Sequence, residues 1–246
     1  VWLPRAWLIG LALVIIAGHN LLDGLHFAAG SMWHVPWTIL HERNWIEVSE
    51  NLRLRTTYPV LPWIGVIALG YGLGPWFANA TLPAVRQRYL LVAGVGALVG
   101  FGLVRALNGY GEQPWQVYDR GVLTLMSFFN ITKYPPSLLF LALTLGIGVL
   151  LLLAFERAGH KRWIGVLAVF GAAPMFFYLL HLYVLKILYV ACVAMFGLNH
   201  GNYFGFDGIG AVWLAALLLP IALYLSVRWF AGLKARRRDL AWLKYL

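Results

Sequence analysis

The sequence predicts an all-α, polytopic membrane helix bundle with about six transmembrane helices, joined in places by short interfacial or re-entrant helices. Three observations carry this: composition, six apolar runs of spanning length, and a basic-residue count that alternates from loop to loop. Hydrophobic residues make up 61% of the chain and charged residues 11%, whereas soluble domains have roughly 45–50% and 25%. A water-soluble chain of this composition could not cover its own surface, so the lipid bilayer is the first partner implied.

A spanning helix needs about 20 mostly apolar residues, with a range of about 17–25. Six stretches qualify: Ala6–Leu22, Val60–Phe77, Tyr89–Leu107, Leu138–Phe155, Met175–Phe196 and Ile209–Trp229. They are continuously apolar, without the period-2 alternation of a membrane barrel, so helices are the way to satisfy their backbone in lipid. With short connections, residues 1–246 read as a single transmembrane domain.

Orientation follows from Lys and Arg. One set of segments holds eleven: Arg5, Arg86, Arg88, Arg157, Lys161, Arg162, Lys234, Arg236, Arg237, Arg238 and Lys244. The alternate set holds five: Arg43, Arg53, Arg55, Arg120 and Lys133. The first set, with both chain ends, is expected in the cytoplasm, as in a multi-pass protein of the cell inner (plasma) membrane. The acids Asp23, Glu42, Glu47, Glu50, Glu112, Asp119 and Asp207 then lie on the outer side. The net charge of +10 is read as this bias. A nucleic-acid partner is excluded because the charges sit between apolar spans. The single cysteine, Cys192, forms no intramolecular disulfide and reads as a small buried apolar residue. The chain begins at Val1 without a signal-peptide pattern. Its start resembles the middle of a protein, whose upstream helices would be further partners. Homo-oligomerisation is left open.

Two outer loops are long. Asp23–Pro59 is rich in His, Trp and charge. Asn108–Pro136 contains an apolar piece, Val122–Ile131, too short to span. On the cytoplasmic side Trp163–Gly171 is similarly short and is expected to lie along the membrane before Pro174 opens the fifth span. Gly70 with Gly74, and Gly96 with Gly100, form small-residue stripes expected to admit a neighbouring helix. Pro220 should kink the last span.

Ionisable groups at or near bilayer depth normally face a bundle interior or a wet cavity, and four places stand out. At the end of the first span His19 and Asp23 are four apart, so on a helix they share a face. A carboxylate beside an imidazole fixes its tautomer and raises its basicity, as a general base needs; the alternative is a polar helix end. Arg105 and Asn108 close the third span. Arg105 reads as a snorkelling residue, an anion-binding group or, most simply, the partner of Asp23. Asn130, Lys133 and Tyr134 precede Pro135-Pro136, a rigid corner, with Ser137 as a helix cap. In the fifth span Tyr178 and His181 share a face, lining a cavity or making a structural hydrogen bond, and Lys186 needs a partner or a neutral state. His19, His26, His34 and His41 invite a metal reading. Their spacings of seven, eight and seven lack the tight pairs of zinc sites, so no metal is expected.

The runs GHNLLDGLHF (18–27), YPVLPWIGVIALGYGLGP (58–75), RALNGYG (105–111), SFFNITKYPPSLLFLALTLG (127–146) and PMFFYLLHLYVLK (174–186) resemble a bacterial membrane family. That family is similar to the catalytic domain of heparan-alpha-glucosaminide N-acetyltransferase. The resemblance runs through nearly the whole chain and corresponds to the family's C-terminal portion. It implies acyl transfer across a membrane, from cytosolic acetyl-CoA or another acyl-CoA to a sugar or glycan acceptor on the far side. The family's catalytic histidine lies in an N-terminal part that this sequence lacks, and maps to no position here. In this reading His19, Asp23 and His181 are the candidate acid–base groups, and Arg105, Asn108, Asn130, Lys133, Tyr134 and Tyr178 the candidate binding groups. A transporter or permease, and a non-catalytic membrane scaffold, are the alternatives.

Overall fold

The apolar runs fold as helices in the computed structural model, which describes residues 3–237 and 239–245. Arg238, counted above among the cytoplasmic basic residues, lies outside the described residues, as does the side chain of Lys244. Five helical stretches are long and apolar enough to cross a membrane: Arg5–Leu22, Pro83–Leu107, Leu138–Ala158, Pro174–Phe196 and Ile209–Arg236. The chain is an α-helical membrane protein. The remaining expected span is shorter. Helix α3 (Leu61–Leu73) tightens into a 3₁₀ turn over Gly74–Phe77, giving a rod of about 27 Å, at the short limit for crossing hydrocarbon. The change falls at Gly74-Pro75, where proline contributes no N–H to an α ladder.

The chain divides into two compact units, one up to Glu156 and one from Arg157. In the first, α1 (Arg5–Gly18) packs on α3. The approach is set by Gly65 and Gly72, where a Cβ would stand 3.0 Å from Ile15 and Ile16, and 2.6 Å from Ile9. Arg5 Nε donates to the carbonyl of Gly72 at 2.7 Å. Helix α4 (Pro83–Leu107) meets α6 (Leu138–Ala158) through a second pair: a Cβ on Gly94 would lie 2.7 Å from Leu150, and one on Gly146 2.9 Å from Leu98. The expected stripes at Gly70, Gly74, Gly96 and Gly100 have nothing within 4 Å of a built Cβ. Spacing alone did not select the packed face. The α4–α6 pair is also fastened by Arg86, which donates to both carboxylate oxygens of half-buried Glu156 at 2.9 Å.

The loop after α1 is more structured than its composition suggested. The helix tightens to 3₁₀ over His19–Leu22, followed by α2 (His34–Leu40) and an antiparallel hairpin of β1 (Trp45–Ser49) and β2 (Leu52–Arg55). Trp45 pairs with Arg55, Ile46 with Leu54 and Glu47 with Arg53. The apolar piece of the next outer loop forms α5 (Gly121–Phe128). At about 12 Å it is far too short to span.

In the second unit α7 (Arg162–Ala172), α8 (Pro174–Phe196) and α9 (Ile209–Arg236) pack around Ala173, Val227, Phe230 and Leu243. Phe176 stacks on Phe230 with ring centroids 4.1 Å apart. Helix α9 runs on through Pro220.

Candidate functional site

A cleft of about 560 Å³ opens among the loops of the first unit. One wall comes from the segment after α1, with Asn20, Asp23, Leu25 and His26, and from the end of α2, with His41, Glu42 and Arg43. A second wall is 109–113, following α4, and the third is Thr132, Tyr134, Pro135 and Ser137. These residues lie in, or at the span ends beside, loops that the basic-residue count groups on one side of the membrane.

Short polar ties hold the walls together. Asn20 Oδ1 accepts from the backbone N–H of Leu138 at 2.8 Å, so the end of the first span is pinned to the start of α6. Its Nδ2 donates to Asp23 Oδ2 at 2.8 Å. Tyr110 donates its hydroxyl to the carbonyl of Ala17. Partial burial, followed by the nearby Asp23 charge, raises its phenol pKa. Glu112 accepts from the backbone and hydroxyl of Thr132.

Three clusters in and behind the cleft carry chemistry. The first is His26 with Glu42: Nδ1 lies 3.3 Å from Oε1, and the imidazole is 66% exposed. At this ion-pair distance the carboxylate favours a proton on Nδ1 and leaves Nε2 free to take one, the arrangement a general base needs. The second is Tyr134. Its hydroxyl hydrogen-bonds that of Tyr58 at 2.9 Å, Lys133 Nζ lies 5.2 Å from its ring centroid, and Arg43 5.5 Å. The Tyr58 hydroxyl, then Lys133, hold the Tyr134 phenol below the usual tyrosine range, while Tyr134 holds the Lys133 ammonium above its own. The third is His19, Asp23 and His41, whose ligating atoms all lie within 4.8 Å of one another.

This third cluster differs from the sequence expectation. Asp23 Oδ1 pairs with Nε2 of His41 at 3.0 Å, and the ring nitrogens of His19 have no hydrogen-bond partner among the described residues. Residues four apart are offset by about 40° on an α-helix but about 120° on a 3₁₀ helix; over His19–Leu22 the chain is 3₁₀, and Asp23 reaches His41 of α2 while its carboxylate stays within 4.8 Å of His19. His19 is 2% exposed and does not line the cleft.

Arg105 also departs from the expected pairing with Asp23. It is 2% exposed, and its guanidinium donates to four backbone carbonyls: Phe128 at 2.8 Å, Gln113 at 2.7 Å, Ser127 at 2.9 Å and Asn130 at 3.2 Å. It organises the α4–α5 loop. Asn108 does likewise, sitting left-handed at φ 54° and exchanging two hydrogen bonds with the backbone of Trp115. Asn130 and Lys133 are exposed beside the cleft without lining it. In the second unit Tyr178 and His181 share a face as expected, with ring centroids 5.4 Å apart. His181 Nδ1 lies 3.1 Å from the carbonyl of Phe177. Lys186 is exposed, 5.3 Å from the ring centroid of Tyr189. Within its unit, α8 packs through its first turns at Phe176, Phe177 and Leu180.

Sequence reasoning weighed His26 and His41 only as metal ligands and set them aside on spacing; their pairings with Glu42 and Asp23 were not foreseen. The available signal was the density of His and acidic residues in 23–42. Fold and cleft together define an α-helical membrane protein with a polar, histidine- and carboxylate-lined cleft in its loops. No protein-family model, curated protein or solved structure matches the chain.

Proposed function

We propose that this chain belongs to a membrane-embedded acyltransferase that moves an acetyl or other acyl group from a cytosolic acyl-CoA to a sugar or glycan acceptor seated in the first unit's cleft. The family resemblance supports the reaction class. The structural observation that supports the place is the exposed His26 imidazole backed by Glu42 on the cleft wall.

In this reading the arm of the cytosolic acyl-CoA extends through the helix bundle to present its thioester carbonyl at the cleft, where an amine or hydroxyl of the acceptor attacks it. Its proton passes to Nε2 of His26, which Glu42 holds in the right tautomer. The C–S bond breaks, and the proton is handed to the departing thiolate to leave free CoA. General-base help of this kind contributes about 10²–10⁴ in rate. Arg43 and the Tyr134 hydroxyl, both on the cleft wall, supply donors to the developing oxyanion. Glu112, on the cleft wall, binds acceptor hydroxyl groups. The protein sits in the inner membrane with the cleft on the outer face and both described ends in the cytoplasm, as the eleven-to-five basic bias supports.

The test is the complete protein in proteoliposomes with labelled acetyl-CoA on one side and glucosamine or a glycan on the other. The expected result is a labelled N- or O-acetyl sugar with stoichiometric release of CoA thiol. Uptake of the sugar without thiol release would replace the transferase by a permease. Neither uptake nor transfer would leave a scaffold.

A further inference from the structure

We propose that His19, His41 and Asp23 form a binding site for a divalent transition-metal ion, with zinc the ion this donor set fits. The site stands on its own geometry and holds whether or not the cleft carries acyl transfer.

Three observations point to it. The ligating atoms of the three residues lie within 4.8 Å of one another. Two of them are already close, with His41 Nε2 and Asp23 Oδ1 3.0 Å apart; the edge of a tetrahedral zinc polyhedron with bonds of about 2.0–2.1 Å is about 3.3 Å. Both nitrogens of His19, and Nδ1 of His41, are buried without a hydrogen-bond partner, although the two residues are only 2% and 4% exposed. Burying an imidazole nitrogen without a partner is costly, so two such rings side by side are an unusual choice for a purely structural core. A metal ion bound to His41 Nε2, to one nitrogen of His19 and to the Asp23 carboxylate gives a partner to one of the orphaned His19 nitrogens, after the three donors draw closer than their present separations of up to 4.8 Å.

The surroundings fit the same reading. Two histidines and a carboxylate are the ligand set of catalytic zinc, which keeps a further position for water or substrate. Here Asp23 and His41 line the cleft, so that position faces it. Asn20 Nδ2 donates to the second carboxylate oxygen of Asp23 at 2.8 Å, an outer contact that orients a ligand. The sequence hid the site because His19 and His41 are far apart in the chain; the fold of α2 back onto the first span brings them together, with ring centroids 5.9 Å apart.

The experiment uses the full protein in detergent, stripped with a chelator and titrated with Zn²⁺ alone, with bound metal measured by elemental analysis. Wild type and His160→Ala, an exposed histidine, are expected to take up one equivalent. His19→Asn and His41→Gln should take up none, and Asn20→Ala should bind about 10–100-fold more weakly. Because the His19 and His41 variants replace buried residues, half-exposed Asp23 provides the safeguard. Asp23→Asn should fold, bind Zn²⁺ at least tenfold more weakly, and shift the visible absorption of bound Co²⁺. Wild type that binds no more zinc than His19→Asn, or a folded Asp23→Asn with wild-type affinity, overturns the site.

Discussion

Arg105 Nη1 donates to the carbonyl oxygen of Gln113 at 2.7 Å, from a side chain that is 2% exposed at the end of α4. Three further carbonyls, from Ser127, Phe128 and Asn130, share the same guanidinium. One side chain thus gathers both ends of the loop that carries α5.

Arg105→Ala should therefore loosen this loop and destabilise the first unit by at least about 1–3 kcal/mol, the cost of leaving buried carbonyls without their donor. Arg105→Lys should not rescue it, because an ammonium cannot span four acceptors in a planar fork. Limited trypsin digestion checks this at the exposed Arg120. Both variants are expected to be cut there faster than wild type, and equal rates would remove Arg105 from its organising role.

Tyr134 titrates early for a tyrosine, because the Tyr58 hydroxyl and then the Lys133 ammonium favour its phenolate. A depressed acid contributes stability that is present above its unfolded pKa and lost as pH falls through the folded value. For Lys133, whose pKa is raised, the stabilising contribution is present below its unfolded pKa and lost as pH rises through the folded one. Both windows are alkaline, so the pair leaves stability near neutrality unchanged with pH. In the ultraviolet difference spectrum between wild type and Tyr134→Phe, the phenolate band should appear below the ordinary tyrosine range. Lys133→Met should move it upward; an unmoved midpoint would show that Lys133 is not its partner.

The crossing of α4 and α6 predicts opposite signs at two glycines two residues apart. Gly94→Ala places a Cβ 2.7 Å from Leu150 and should cost about 1–3 kcal/mol by overpacking. Gly96→Ala meets nothing within 4 Å and should stabilise α4 by up to about 1 kcal/mol through helix propensity. Thermal unfolding in detergent gives the order, and the reverse order would move the helix contact to the other face.

The helical spans were legible because lipid imposes one simple rule, a run of about 20 apolar residues. The α5 segment was legible for the same reason, being apolar but too short. The hairpin was there to be read in Trp45–Arg55, where Ile46, Val48, Leu52 and Leu54 alternate with polar neighbours around Glu50-Asn51, a period-2 pattern. It was masked by a reading tuned to membrane helices. The site was legible only as a supply of residue types. Which histidine meets which carboxylate depends on a change from α to 3₁₀ at His19 and on α2 folding back, and neither leaves a periodic trace. Lys186 is exposed among the described residues, beside the Tyr189 ring, and no periodic signal in the sequence says which neighbour a charge at that depth meets.

The most direct measurement is the acyl-transfer rate, kcat/KM for glucosamine with labelled acetyl-CoA, in the complete protein carrying His26→Ala, compared with Arg53→Ala on the exposed hairpin. With His26 as the cleft's base, the first falls by about 10²–10⁴ with unfolding unchanged, and the second stays at wild type. A folded His26→Ala protein that transfers acetyl groups as fast as wild type would contradict the placement of the chemistry in this cleft.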